Sequence, residues 1–201
     1  MKVSKSQAQA NRAHIVETAS ALFKEHGYDG IGIADLMATA GFTQGGFYKN
    51  FASKAALMAE AATCGIGQST ARAIDLSPEE AIKRYLKREH RDQRATGCTL
   101  AALCSDAARK DDEVRAAFAA GIESQLAGLM DGASEAGDQQ AQPARAEYLV
   151  IMAQLLGAIV LSRACPDDSP LADEILAACR HSLLGAVAPS QGNSVSDQTQ
   201  P

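Results

Sequence analysis

Residues 41–57 read GFTQGGFYKNFASKAAL. Gly45 and Gly46 stand side by side, where each costs a helix about 1 kcal/mol relative to Ala, yet strongly helical sequence flanks them on both sides. Two short helices joined by a tight Gly-containing turn and held against a longer first helix form a helix-turn-helix, and that context gives the glycines a reason. A recognition helix brings its backbone close to phosphates, so residues without side chains permit an approach that Leu or Glu blocks. On this reading Phe47 and Phe51, four residues apart, face the domain core. Tyr48, Lys49 and Lys54 offer donors to the DNA backbone, while Thr43, Gln44 and Asn50 are placed to reach base edges. An ordinary three-helix packing unit with a solvated Lys and Tyr face is the plainer alternative.

Outward from this stretch the pattern stays helical. A first helix is expected over residues 7–26, with Ile15, Val16, Ala19, Leu22 and Phe23 on one stripe and Gly27 as its stop. A short one follows over 33–40, with Ile33, Leu36 and Met37 inward and Gly41 at its end. Ser53 is the N-cap of a longer helix bearing Leu57 and Met58.

The 201 residues suffice for one or two domains, and 46% hydrophobic content supplies a core. Aromatics are scarce and Trp is absent, while Ala and Leu dominate, so the expected fold class is all-α. The N-terminus MKVSKSQAQANRAH has no apolar run, which argues for a cytoplasmic protein with no membrane partner. The greasiest stretch, residues 148–161, is short of the ~20 residues a span requires and contains Gln154, so a buried helix is expected. Five cysteines form no CxxC pair, as suits free thiols in a reducing compartment. The net charge of −5 divides into +1 over residues 1–60 and −6 over the rest. The front third is therefore the part fit to approach an anion, provided that Lys2, Lys5, Lys49 and Lys54 share a surface.

The order of Gly27-Tyr28, Ala40-Gly41, Gly45, Phe47-Tyr48, Phe51 and Ser53-Lys54 resembles the DNA-binding domain of the TetR family of bacterial transcriptional regulators over roughly residues 8–60. The resemblance implies a helical homodimer, usually a repressor, that binds double-stranded operator DNA and is released by a small-molecule effector. Its DNA-contacting positions would be Lys5, Gly32, Thr43, Gln44, Gly45, Gly46, Tyr48, Lys49, Asn50 and Lys54. Gly32 stands where the family usually has Ser or Thr, and Gly46 where Thr is frequent. The expected organisation is an N-terminal three-helix DNA-binding domain over 1–60, a helical effector-binding and dimerisation domain over 61–187, and a polar, disordered tail over 188–201.

In the second domain, Ser77-Pro78-Glu79-Glu80 is a helix start, and the helix is expected to carry KRYLKREHRDQR as a solvated face with Glu79–Lys83 and Glu80–Arg84 pairs. A second helix begins near Thr99, and a third carries Val114, Phe118, Ile122, Leu126 and Met130. An apolar effector pocket is drawn from Cys64, Ile66, Tyr85, Leu86, Leu103, Phe118, Ile122 and Met152, all of which serve equally as core. Helices over 144–164 and from Ser169-Pro170 onward are too apolar for a monomer's surface. Leu149, Met152, Leu156, Ile159, Val160, Leu171, Ile175 and Leu183 are the expected dimer interface.

Cys98 lies beside a helix N-terminus and follows Arg91 and Arg94, an environment that favours a thiolate and makes a redox or electrophile sensor the alternative to small-ligand release. An enzyme is the third reading, with Cys98 and His90 as its pair, but nothing in the sequence orients the histidine. No phosphate loop, HExxH or Cys/His ligand spacing is present, so neither cofactor nor metal is expected.

Overall fold

The computed structural model describes residues 4–73, 75–135 and 145–187, with only the backbone over 131–135. The proposed tail at 188–201 and Lys2 lie outside these residues. Every regular element among the described residues is helical.

Helix α1 (Lys5–His26) starts two residues earlier than expected, because the Ser4 side chain caps it by accepting from the Gln7 N–H at 3.1 Å. It ends at Gly27, whose φ of 76° lies in the left-handed region that glycine adopts without strain. Helix α2 (Ile33–Thr39) buries Leu36 and Met37 and has no side-chain cap at Gly32. A single 3-10 turn at Gln44–Gly46 leads into α3 (Phe47–Asn50). Ser53 caps α4 (Lys54–Ala71) by accepting from the Ala56 N–H at 3.0 Å.

Beyond α4, a full capping box between Ser77 and Glu80 opens α5 (Pro78–Tyr85). The expected single basic helix breaks at Leu86, and α6 (Arg88–Asp92) resumes on a new axis. Lys83 pairs with Glu79 as anticipated, but Glu80 does not pair with Arg84: its carboxylate accepts instead from the N–H and hydroxyl of Ser77. Nor is the basic block simply a solvated face, because Arg91 is only 2% exposed and reaches Asp92 and Asp167.

Four helices complete the chain: α7 (Thr99–Ala107), α8 (Asp112–Glu135), α9 (Arg145–Ala164) and α10 (Pro170–Val187). One hydrophobic cluster runs from Ile15 and Phe23 through Phe47, Leu57 and Ile66 to Leu103, Phe118 and Ile159, so the helix-turn-helix and the C-terminal helices share a continuous core. Close crossings build it. A Cβ at Gly65 of α4 would collide with the hydroxyls of Ser20 and Thr99, and one at Gly121 of α8 with the side chain of Ile66. Helix α9 is long and apolar enough to cross a membrane by length and composition alone, yet only 22% of its most apolar window is buried, so the expected buried helix keeps much of its surface open.

Candidate nucleic-acid interface

The recognition turn is built from two aromatic anchors. Phe47 and Phe51 are buried with ring centroids 5.6 Å apart, and this fixes the opposite side of the turn outward. Thr43, Gln44, Gly45, Tyr48 and Lys49 are exposed together there, with Tyr48 at 68%. A Cβ at Gly45 would meet no protein atom within 4 Å, and one at Gly46 only ordinary contacts with Met37 and Thr43. Packing within the protein therefore does not require either glycine.

Two expected contact residues are placed otherwise. The Asn50 amide folds back to donate to the Gly46 carbonyl at 2.8 Å and so closes the turn on itself. The Lys54 ammonium donates to the carbonyls of Tyr28 and Ile31, both at 2.7 Å, and burial lowers its pKa from the usual value. Lys54 thus does not join an exposed basic cluster with Lys49; it secures the corner between α1 and α2. Lys5 is exposed in the first turn of α1, and Gly32 is exposed at the start of α2.

Arg12 is marked by nothing in the sequence, although its pairing with Glu60 in the second turn of α4 is what ties the unit together. Its guanidinium meets the Glu60 carboxylate at 2.6 and 2.5 Å, donates from Nε to the Asn50 carbonyl at 3.3 Å, and lies 4.7 Å from the Phe51 ring centroid. One side chain of α1 so holds the end of α3 against α4. Alongside it, Arg12, Val16, Glu17, Glu60, Thr63 and Cys64 line an open groove between α1 and α4 of about 470 Å³.

Of the residues drawn for an effector pocket, Ile66, Leu86, Leu103, Phe118 and Met152 are buried, and Tyr85 and Ile122 pack on the same core. Cys64 packs on that core as well and also opens onto the α1–α4 groove. The expected interface residues also divide. Met152, Ile159 and Leu183 are buried within the protomer and Leu156 and Ile175 are partly so, whereas Leu149, Val160 and Leu171 are exposed, together with Val150 and Leu161.

Around Cys98 the structure assembles a polar node. His90 is oriented after all: its Nδ1 faces the Tyr85 carbonyl at 2.7 Å and its Nε2 accepts the Cys98 backbone N–H at 3.3 Å. Those partners require a neutral ring with the proton on Nδ1. Burial in turn lowers the His90 pKa, with the Arg163 and Arg84 charges adding to it. Arg163 donates to the carbonyls of Arg91 at 2.7 Å and His90 at 3.2 Å, while its Nη1 and the Tyr85 hydroxyl are buried without a partner. Burial pushes the Cys104 thiol up to about 11. Among the described residues no group of three or more His, Cys, Asp or Glu side chains is gathered as a metal site.

Residues 15–61 match the family model described as bacterial regulatory proteins, tetR family. No curated protein matches the chain in sequence. The reduced form of E. coli NemR superposes with a TM-score of 0.71 at 18% identity, covering 88% of this chain and 96% of that one. A TetR-family regulator from Cytophaga hutchinsonii gives 0.70 at 20% identity over 92% and 98%. AibR in complex with isovaleryl coenzyme A and operator DNA gives 0.54 at 18% identity over 87% and 97%. These likenesses extend the shared fold well past the matched segment, and residues 15–61 carry the helix-turn-helix that the tetR-family model describes.

Proposed function

We propose that the protein is a homodimeric repressor that binds operator DNA through the 3-10 turn and α3, and is released by a small, mostly apolar effector. The observation that carries this reading is the exposed row Thr43, Gln44, Gly45, Tyr48 and Lys49 on a turn whose reverse side is anchored by Phe47 and Phe51. Lys49 and Tyr48 supply phosphate donors, Thr43 and Gln44 face base edges, and Gly45 lets the backbone approach. The proposed DNA-binding domain, 1–60, meets the effector and dimerisation domain, 61–187, inside α4, which is continuous across that boundary. A coupling of about 1–3 kcal/mol along this helix suffices for release.

Dimerisation is supported by the apolar stripe of α9. Leu149, Val150, Val160 and Leu161 are exposed on it, and α10 offers Leu171 beside the small residues Ala178 and Gly185. Two such helices from each protomer make a four-helix interface.

A second reading, a thiol sensor at Cys98, is favoured by one observation. The Tyr85 hydroxyl lies beside Cys98 and within electrostatic reach of Arg163, and burial first, then Cys98, holds that phenol well above its ordinary pKa, so it remains an O–H donor. A hydroperoxide that adds one oxygen to the Cys98 sulfur, leaving as water or alcohol, creates an acceptor next to two unpartnered donors.

The deciding experiment is binding of the purified protein to its own promoter region across a salt series, with and without hydrogen peroxide. Selective binding with a steep salt slope supports the repressor, and its reversible loss with peroxide in wild type but not in Cys98→Ser selects the thiol sensor. Absence of selective binding, both to that region and to a random-sequence DNA library, overturns the DNA-binding reading.

A further inference from the structure

The helix-turn-helix has an anchor outside itself. The corner between α1 and α2, residues 27–32, decides where α2 and the recognition turn point, and α2 begins at Gly32 with no side-chain cap to fix it locally. Its position is inherited from the corner. There both backbone polar groups of Tyr28 are held by side chains: the carbonyl accepts from Lys54 at 2.7 Å, and the N–H donates to Oδ2 of Asp106 at 3.0 Å. Asp106 belongs to α7, in the C-terminal half of the chain.

Two further contacts place α7 at this corner by design of the local chain. Gly27 takes a φ of 76°, and a Cβ there would come within 2.8 Å of Asp106 Oδ2, so the residue is glycine both for its backbone and for clearance of this carboxylate. Lys110, just past α7 and only 19% exposed, pairs with Asp29 at 2.5 Å and holds that carboxyl below its ordinary pKa. At its other end α7 is equally fixed: Thr99 is buried against Gly65 of α4, and the Cys98 N–H is taken by His90. A nine-residue helix, roughly 14 Å long, therefore spans from the polar node of the C-terminal half to the corner that aims the DNA-binding unit.

We propose that Asp106 is a positioning residue for DNA binding, acting from the C-terminal half through the Tyr28 N–H, and that α7 is the strut that transmits a change around Cys98 and His90 to the recognition turn. This rests on the DNA-binding reading above. Asp106 touches no DNA in this scheme. Its loss tilts the unit and leaves the donors Tyr48 and Lys49 in place, so selective binding suffers while weak, sequence-independent binding does not.

The test compares wild type, Asp106→Asn, Asp106→Leu and Lys110→Met, each as the full chain. The readouts are amide exchange at Tyr28, affinity for DNA that wild type enriches from a random library, and affinity for scrambled DNA. Asp106→Leu is expected to speed Tyr28 exchange and to weaken enriched DNA about tenfold with scrambled-DNA affinity unchanged, whereas Asp106→Asn keeps an acceptor and stays within about twofold. Should Asp106→Leu fail to fold, Lys110→Met reads the same corner, with a loss of about threefold on enriched DNA only. Equal affinity for enriched DNA in folded Asp106→Leu or, where that variant does not fold, in Lys110→Met overturns the proposal, as does a loss shared equally by enriched and scrambled DNA. If wild type enriches no sequence, the DNA-binding reading itself falls, and faster exchange at Tyr28 in Asp106→Leu then marks Asp106 as a purely structural contact.

Discussion

The ammonium of Lys54 donates to the Tyr28 carbonyl at 2.7 Å, and its second bond, to Ile31, has the same length. A lysine at the start of α4 thus closes a loop 23 residues earlier instead of reaching freely toward phosphate. Lys54→Met keeps the stem and removes both donors, leaving two carbonyls to find other partners. We expect a loss of about 1–3 kcal/mol in unfolding free energy by denaturant titration, with DNA affinity falling alongside. Unchanged stability with weaker, salt-flattened DNA binding would return Lys54 to the role of a phosphate contact.

Gly45 behaves oppositely. Its Cβ position is open to solvent, so Gly45→Ala meets no protein atom within 4 Å, and the helical preference of Ala should hold or raise stability by up to about 1 kcal/mol. DNA affinity should nevertheless drop, because the added methyl occupies the approach of the duplex. Thermal unfolding and DNA titration of the same preparation separate the two effects. An alanine variant that binds as well as wild type removes close approach as the reason for the glycine.

The parts of this design legible in the sequence are those written locally. The caps at Ser53 and Ser77, the stops at Gly27 and Gly41, and the inward Phe47–Phe51 pair each depend on residues within one or two turns, and each is found. Pairings across the fold were not legible. Arg12 with Glu60 and Asp106 with Tyr28 are 48 and 78 residues apart, and no periodicity marks them. The break at Leu86 was hidden because KRYLKREHRDQR is helix-forming throughout, and tertiary packing of His90 on Tyr85, with rings 4.4 Å apart, divides it. The apolar positions of α9 divide in phase: helical spacing identifies them but not which of two apolar faces meets the protomer's own core, so the sequence groups Ile159 with Val160 although of the two only Val160 is exposed.

His90 gives a pH dependence of defined sign. Its folded pKa lies below the ordinary 6.5, first through burial and then through Arg163 and Arg84, so the unfolded chain binds its proton more readily. Stability is full above 6.5 and is lost as pH falls from 6.5 through the folded value. Protonation also turns Nε2 into a donor facing the Cys98 N–H. Equilibrium unfolding of wild type against His90→Gln between pH 5 and 8, a range spanning the usual imidazole titration, should show the variant lacking this share of the acid slope. Parallel slopes would mean that the node does not sense protons.

Gly65 and Gly67, two residues apart in α4, should respond to alanine with opposite signs. At Gly67 nothing lies within 4 Å of the new Cβ, so the substitution should stabilise by about 0.5–1 kcal/mol through helix propensity. At Gly65 the methyl strikes Ser20 and Thr99, both buried, and overpacking should cost about 1–3 kcal/mol despite the same propensity gain. Matching increases in both variants would show that α1, α4 and α7 do not cross as closely as described.

Association should fail when charge enters the α9 stripe. Leu161 is 59% exposed in the protomer and touches little of its own core, so Leu161→Glu should leave the isolated fold intact while placing two carboxylates near the proposed symmetry axis. Leu129 on α8, 44% exposed, is the matched control, since Leu129→Glu introduces the same charge on a different helix. Light scattering should then find Leu161→Glu monomeric at concentrations where wild type and Leu129→Glu are dimers. Selective DNA affinity should collapse with it, because one protomer reaches only one half-site. A dimer in Leu161→Glu would move the interface elsewhere, and a monomer that still binds enriched DNA at full strength would separate recognition from dimerisation altogether.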